Sequence, residues 1–318
     1  MFHVVAPSMF LFLLIYIVSF VMVFQFDNWF LIWFSLEINM LSFMLIIFKH
    51  KNMSTLESCF KYFFIQSIGS SMLMFVWYFH SYMIDSITSV VLSLKLGAAP
   101  FYYWFPSLID GIDWFSAFLL MSVQKIIPLF IMSMFNSVMM WFILILSLLV
   151  GGFGMFNQSK LKLIMAYSSI HHLGWLIFVI KVKMDYWFIY LVMYSILIYP
   201  LIVWFNKMKM LSLMEVGNMS KMDLMILGIM SLSGLPPFLG FYLKMWVFLY
   251  LIDFSLYLFV YMFIMSVLMC YIYMRIVYLI LMVSNEGSLM FYSDVDYMNL
   301  SLMGYLMGSV FGFYMIML

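Results

Sequence analysis

Apolar residues form continuous runs of about twenty positions along most of the chain, and short polar clusters separate the runs. A helix of about twenty apolar residues spans a bilayer, whereas the strands of a membrane barrel alternate apolar and polar residues over about ten positions. The pattern therefore predicts transmembrane helices. About eleven spans are expected, at residues 5–24, 28–48, 59–79, 86–104, 113–134, 138–156, 162–180, 186–205, 222–250, 254–283 and 300–318.

Proline and glycine interrupt three of these spans well inside the membrane, and each interruption lies near a lysine. Because proline removes a backbone hydrogen bond, such breaks persist in lipid only where protein or water satisfies the freed backbone groups. The interrupting residues are Gly97 and Pro100 in the fourth span, Pro128 in the fifth, and Pro236 and Pro237 in the ninth.

The broken fourth and ninth spans are five spans apart, which indicates two structural repeats of five helices. The repeats would cover residues of about 5–134 and 138–283, with 300–318 as an extra C-terminal helix. A repeat with an odd number of crossings must be inverted, and broken helices at matching places of inverted repeats are typical of transport sites. The alternative is that proline and glycine are simply frequent in membrane helices. We expect an all-α integral membrane protein with a single transmembrane domain over residues 1–318.

The composition excludes several functions. Only 8% of the residues are charged, against about a quarter in soluble domains, so lipid is the solvent for most of the chain. The net charge of +1 offers no basic surface for nucleic acid. Cys59 and Cys270 form no motif, and neither a dinucleotide-binding nor a phosphate-binding loop is present. We expect this chain to bind no cofactor and no metal. We also expect no cleaved leader, because no basic segment precedes the first apolar run.

The lysines predict an orientation, because loops on the inner side of a membrane carry the excess of positive charge. With the N-terminus inside, the outer loops hold only Lys181 and Lys183. The inner loops then hold the remaining loop lysines, which are Lys49, Lys51, Lys160, Lys162, Lys207, Lys209 and Lys221.

Four ionisable residues lie near the middle of predicted spans: Glu37, Lys95, Lys125 and Lys244. A charge at that depth costs about 2.5–3.5 kcal/mol on insertion scales. Burial disfavours the charged form of both lysine and glutamate, so such groups can take up and release protons during turnover. We therefore expect a proton relay, with Glu37 as the partner of Lys95. The alternatives are lysines that reach the membrane surface and a purely structural hydrogen bond at Glu37.

Other polar residues are weaker candidates for the relay. His171 and His172 lie in the middle of the seventh span, and a histidine there could link Lys125 to Lys244. Tyr167 and Tyr242 could supply hydroxyls to a chain of water molecules. Structural hydrogen bonding and packing are the alternatives for these four side chains.

Several segments, taken in order, resemble the antiporter-like subunits of respiratory complex I. The segment KLGAAPFYYWFP at 95–106 is similar to the family's KLG-x-APFHFW-x-PE motif. Tyr102 and Ser107 depart from that motif, which has histidine and glutamate there. The other matching segments are LEINML at 36–41, QKIIP at 124–128, NQSKLKLIMAYSS at 157–169, HLGW at 172–175, GLPPFLGFYLKMW at 234–246 and YIYMR at 271–275.

The resemblance implies a proton channel that uses Glu37, Lys95, Lys125 and Lys244, in a multi-pass protein of the mitochondrial inner membrane. It implies other membrane-arm subunits of complex I as partners, together with lipids such as cardiolipin, and no nucleic acid. NADH, FMN, Fe–S clusters and ubiquinone would be bound by other subunits and none by this chain. Two alternatives remain open, a subunit of a cation/proton antiporter and a structural scaffold whose buried charges dock neighbouring subunits.

Overall fold

The computed structural model describes residues 7–48, 52–79, 83–182, 186–213, 223–236 and 238–284. Within these ranges the regular elements are helices, as the sequence predicts. Six helical segments of the described ranges are long and apolar enough to cross a membrane, and three further apolar helices are shorter. The chain is therefore an all-α, multi-pass membrane protein. The predicted helix at 300–318 lies outside the described residues.

The first of two compact units extends to Ser147. Its helices are α1 Pro7–Gln25, α2 Trp29–Ile47, α3 Met53–Phe79, α4 Ile84–Leu96, α5 Trp104–Gly111, α6 Trp114–Met121 and α7 Ile126–Ser133. The long helices α1, α2 and α3 pack in sequence, and α3 also packs against α4 and α5. A 3₁₀ turn, Val123–Lys125, separates α6 from α7.

The second compact unit begins at Leu148, inside α8 Met139–Met155. The helices that follow α8 are α9 Leu161–Val182, α10 Trp187–Met208, α11 Asp223–Ser233, α12 Leu239–Phe254 and α13 Leu256–Ser284. In α9 almost every residue from Leu161 to Ile180 is buried.

Hydroxyl groups inside these helices bond to their own backbone. Ser35 donates to the carbonyl of Ile32 at 2.6 Å, and Ser168 donates to the carbonyl of Met165 at 2.7 Å. A serine can therefore be buried in an apolar helix without an unsatisfied donor. A serine whose oxygen also contacts another side chain is the informative exception.

The fourth span was expected over 86–104 with an interruption at Gly97 and Pro100. In the structure α4 ends at Leu96, where Gly97 turns the chain, and Trp104 begins a separate helix. The start of the third span was predicted wrongly. The third span was expected to begin at residue 59, but α3 begins at Met53. An ion pair of 2.6 Å joins the half-exposed Lys61 to Glu57 one turn earlier. Such a pair supports a polar first part of the helix, which hydropathy alone does not recognise.

The lysines predicted on the inner side include several at one end of the second unit. An isolated antiparallel bridge joins Lys160 to Ser212, so the chain before α9 lies beside the chain after α10. Lys181 is in the last turn of α9, at that helix's opposite end. Lys162 is not in a loop as predicted, since it is the second residue of α9 and is buried. Outside the described residues lie Lys49, Lys51, Lys183 and Lys221.

Candidate functional site

Helix α4 ends immediately after Lys95, because Gly97 takes a left-handed conformation with φ of 68°. A side chain at Gly97 would lie 2.8 Å from the Cβ of Phe105, so glycine is required for space as well as for φ. The N–H of Ala98 reaches back to the carbonyl of Ser93 at 2.9 Å. This is the closure expected of a glycine-terminated helix.

Side chains from other helices satisfy the carbonyls that the break leaves free. The indole N–H of Trp104 donates to the carbonyl of Leu94 at 3.1 Å, and the amide of Gln66 donates to the carbonyl of Lys95 at 2.9 Å. A buried carbonyl without a partner would cost about 1–3 kcal/mol. Hydrogen bonds from side chains on α3 and α5 therefore stabilise the break.

Lys95 is only 5% exposed and lies against α3. A Cβ at Gly69 would come within 2.8 Å of the Cγ of Lys95, so the glycine gives the lysine stem its space. The carboxylate of Glu37 interacts electrostatically with the Lys95 ammonium. Glu37 also contacts the hydroxyl of Ser70, which lies one residue beyond Gly69. Lys95 and Glu37 therefore both lie against α3, and their partnership in a relay stays a prediction.

Lys125 is 2% exposed and ends the 3₁₀ turn between α6 and α7. Pro128 explains the irregular backbone, because it has no N–H to donate to the carbonyl of Gln124 one turn earlier. The Nζ of Lys125 lies 5.5 Å from the centre of the Phe105 ring, within the range of a cation–π interaction. Phe105 is also the residue that packs on Gly97. The same aromatic ring therefore contacts both the break in α4 and the second lysine.

Lys95 and Lys125 line one cavity. The space open to the centre of a water molecule is about 20 Å³, whereas about 10–15 Å³ suffices to hold one water. The amide nitrogen of Gln124 is buried there without a hydrogen-bond partner among the described residues. The other polar side chains of the lining are Asn39, Tyr62 and Gln66. These groups can bind a water that bridges the two lysines.

The second unit carries a comparable break. Helix α11 ends at Ser233, and Gly234 follows with φ of 79°. The Nζ of Lys244, on α12, donates to the carbonyl of Ser233 at 2.7 Å. Lys244 is 6% exposed and lies against Gly234, where a Cβ would come within 2.8 Å of the lysine Nζ. Pro236 lies in the break, and Pro237 is outside the described residues.

The two histidines of α9 have different surroundings. His172 shares a hydrogen bond of 2.9 Å between its Nδ1 and the hydroxyl of Tyr190. His171 is buried, and neither of its ring nitrogens has a hydrogen-bond partner among the described residues. It interacts electrostatically with Lys244. The participation of either histidine in a relay stays a prediction.

The positions of the two candidate tyrosines say less about a relay. The ring of Tyr167 covers Gly154, where a Cβ would lie 2.4 Å from the ring. Tyr242 is half-buried on α12, two residues before Lys244. Their roles in a relay stay predictions.

Sequence reasoning missed three polar residues of the first unit, Gln66, Ser70 and Gln124. Gln66 and Ser70 are one helical turn apart in the third apolar span, which is a detectable pattern. Gln124 appeared only within the segment 124–128 that resembles the family. Within the described residues no cluster of three or more histidine, cysteine or acidic side chains is arranged to hold a metal ion.

The comparison with known families places the chain in a class of antiporter-like membrane proteins. The family model described as "NADH:quinone oxidoreductase/Mrp antiporter, TM" matches residues 27–90 and 80–270. NADH-ubiquinone oxidoreductase chain 2 of Anopheles gambiae is 36% identical over 285 residues, covering 82% of each chain. The chain belongs to the NADH-ubiquinone oxidoreductase chain 2 family.

Solved structures agree on the fold. A chain of respiratory complex I from Thermus thermophilus matches with a TM-score of 0.76 at 17% identity, over 95% of this chain and 78% of that one. A chain of the Mrp complex from a Dietzia species matches with a TM-score of 0.72 at 13% identity, over 83% of this chain and 59% of that one. The antiporter-like fold is therefore shared across both kinds of complex.

Proposed function

We propose that this chain is a proton-translocating membrane-arm subunit of respiratory complex I in the mitochondrial inner membrane. Its proton relay consists of Glu37, Lys95, Lys125 and Lys244. The observation that carries the proposal is the cavity that Lys95 and Lys125 share, which has room for a bridging water. NADH, FMN, Fe–S clusters and ubiquinone belong to other subunits, and cardiolipin is among the lipids around the helices.

Glu37 acts as the switch of the first unit. While its carboxylate is negative, it stabilises the ammonium form of Lys95, with which it interacts electrostatically. When that charge is neutralised or moves away, the buried ammonium loses its compensation and gives its proton to the water beside it. Lys125 lines the same cavity and takes the proton next. The amide of Gln124 holds the water in place.

Lys244 and His171 are the relay groups of the second unit. The carbonyl of Ser233 accepts from the Lys244 ammonium, which fixes its position without neutralising its charge. His171 has no competing hydrogen bond among the described residues, so its ring nitrogens can donate to or accept from a water on the path. In the proposed architecture residues of about 5–134 and 138–283 form inverted five-helix repeats in a chain of eleven helices, with the inner side facing the matrix.

The likeness to the Mrp complex favours a second candidate, a subunit of a cation/proton antiporter. Such a protein binds its coupling cation, for which carboxylates are the usual ligands. The described polar groups around the cavity are mainly lysine, amide and hydroxyl groups, with Glu37 as the nearby carboxylate. That set suits protons better than a metal cation.

The test replaces Lys95 with Met in the assembled complex and measures NADH:quinone turnover, proton translocation and assembly. Lys61→Met is the matched control, because Lys61 is a half-exposed lysine of α3 that is paired with Glu57. Proton translocation should fall by about tenfold or more in Lys95→Met, with assembly unchanged. Loss of assembly alone would favour the scaffold. Transport that depends on a sodium gradient and not on the proton gradient would favour the antiporter.

A further inference from the structure

One face of α3 contacts both members of the Glu37–Lys95 pair. Gln66, Gly69 and Ser70 are spaced at i, i+3 and i+4, so they lie on the same side of the helix. Gln66 bonds to the carbonyl of Lys95, and Gly69 lies against its side chain. Ser70 contacts the Glu37 carboxylate. The glutamate on α2 and the lysine on α4 are therefore both positioned by α3, which carries neither of them.

Ser70 is bound to α2 at two points. Its carbonyl accepts a hydrogen bond from the indole N–H of Trp33 at 3.1 Å, and its hydroxyl bonds to Glu37. Trp33 and Glu37 are one turn apart on α2. Ser70 is 1% exposed, so this double contact is shielded from solvent. It fixes the position of Glu37 along the axis of α3.

The hydroxyl of Ser70 has two acceptors within reach but only one hydrogen to donate. One acceptor is Glu37, and the other is the carbonyl of Ser67, 3.0 Å away on the preceding turn. An ionised carboxylate can only accept, so it takes the hydrogen of Ser70 in a charge-assisted bond. A protonated Glu37 can donate to Ser70, whose own hydrogen then turns to Ser67.

We infer that Ser70 is a positioning residue whose hydroxyl follows the protonation state of Glu37. This inference rests on the proposed function of the Glu37–Lys95 pair. No bond of the serine is broken: the incoming proton stays on Glu37, and the Ser70 O–H rotates from the carboxylate to the Ser67 carbonyl. Glu37 thus keeps a hydrogen bond in both states, which lowers the cost of changing its charge inside the membrane.

The neighbouring Ser71 provides a matched control. Its hydroxyl donates to the carbonyl of Ile68 at 2.9 Å, and its side chain is exposed. Ser71 therefore has the backbone bond of Ser70 without the contact to the carboxylate. Ser71→Ala therefore reports the effect of losing a backbone-bonded hydroxyl on α3 without the contact to Glu37.

The experiment uses the assembled complex with Ser70→Ala, Ser70→Thr, Ser71→Ala and Glu37→Gln. Infrared difference spectra between oxidised and reduced states record the carboxyl stretch, and Glu37→Gln identifies the Glu37 band by its disappearance. We expect Ser70→Ala to shift this band and to lower the number of protons moved per NADH. Ser70→Thr, which keeps a hydroxyl, should return both toward wild type, and Ser71→Ala should change neither.

Failure of the inference about Ser70 and failure of the proposed relay give different results. A Glu37 band that stays in place in Ser70→Ala overturns the role of Ser70, even where Glu37→Gln abolishes pumping. Full pumping in Glu37→Gln overturns the proposed relay itself. If Ser70→Thr does not assemble, the band position in Ser70→Ala decides the matter alone.

Discussion

The ammonium of Lys244 donates a hydrogen bond to the carbonyl of Ser233 across 2.7 Å, and Ser233 is the last residue of α11. A candidate proton carrier therefore also caps the helix break beside it. The two roles can be separated because one needs only a hydrogen-bond donor, whereas the other needs a group that loses its proton.

Lys244→Arg and Lys244→Met separate these roles. Arginine keeps a donor for Ser233 but is not deprotonated in proteins, whereas methionine leaves the carbonyl unsatisfied at a cost of about 1–3 kcal/mol. Both variants should lose proton translocation. Met should in addition lower the thermal stability of the complex, and Arg should do so less. Normal pumping in Lys244→Arg would show that Lys244 does not release its proton.

The two glycines with positive φ should respond differently to alanine. At Gly97 the added Cβ meets the Cβ of Phe105, which cannot move without shifting α5, so the complex should lose about 1–3 kcal/mol of stability. At Gly234 the added Cβ meets the flexible end of Lys244. For the same loss of stability, Gly234→Ala should therefore reduce NADH:quinone turnover more than Gly97→Ala does. Thermal denaturation and NADH:quinone activity, measured on the same preparations, check the contrast.

Gln66→Leu should destabilise the break at Lys95. The substitution leaves the buried Lys95 carbonyl without the amide that bonds to it at 2.9 Å, which costs about 1–3 kcal/mol. Ser67→Ala is the control on the same helix, because the hydroxyl of the half-buried Ser67 donates to the carbonyl of Phe64 on its own turn. Hydrogen exchange of the α4 amides should rise in Gln66→Leu and stay unchanged in Ser67→Ala. Equal exchange in both variants would contradict this account of the break.

Substitutions of His171 and of His172 should also have different effects. His172→Phe leaves the Tyr190 hydroxyl without its 2.9 Å bond, so it should lower stability. His171→Phe removes an imidazole that has no hydrogen-bond partner among the described residues, so it should lower proton translocation with little loss of stability. The measurements are melting temperature and proton flux in sealed vesicles. Unchanged flux in His171→Phe would assign this histidine to packing.

The sequence predicted the helical class and the buried lysines for a physical reason. Continuous apolar runs admit few structures in lipid, and a lysine such as Lys125 in the middle of a run has a high cost there. The interruption of the fourth span at Gly97 and Pro100 was predicted from residue type, whereas the left-handed turn that ends α4 at Leu96 is a local backbone property. Hydropathy does not distinguish a turn from a weak point in a helix.

The contacts of α3 were not predicted, because they depend on how three helices face one another. Ser70 is one of several serines in its span, and only packing distinguishes it from the exposed Ser71. Gln66 likewise has a partner on α4 that spacing along the sequence does not reveal. Residues that position a site are therefore harder to recognise than the charged groups they position.

The most direct test of the relay replaces Lys125 with Met. Lys125 is 2% exposed and lines the cavity that it shares with Lys95. Protons translocated per NADH oxidised are measured in sealed vesicles, with Lys61→Met as the control. The proposed relay predicts that the variant assembles normally and that proton translocation falls by about tenfold or more. An unchanged proton-to-NADH ratio at normal turnover would contradict it.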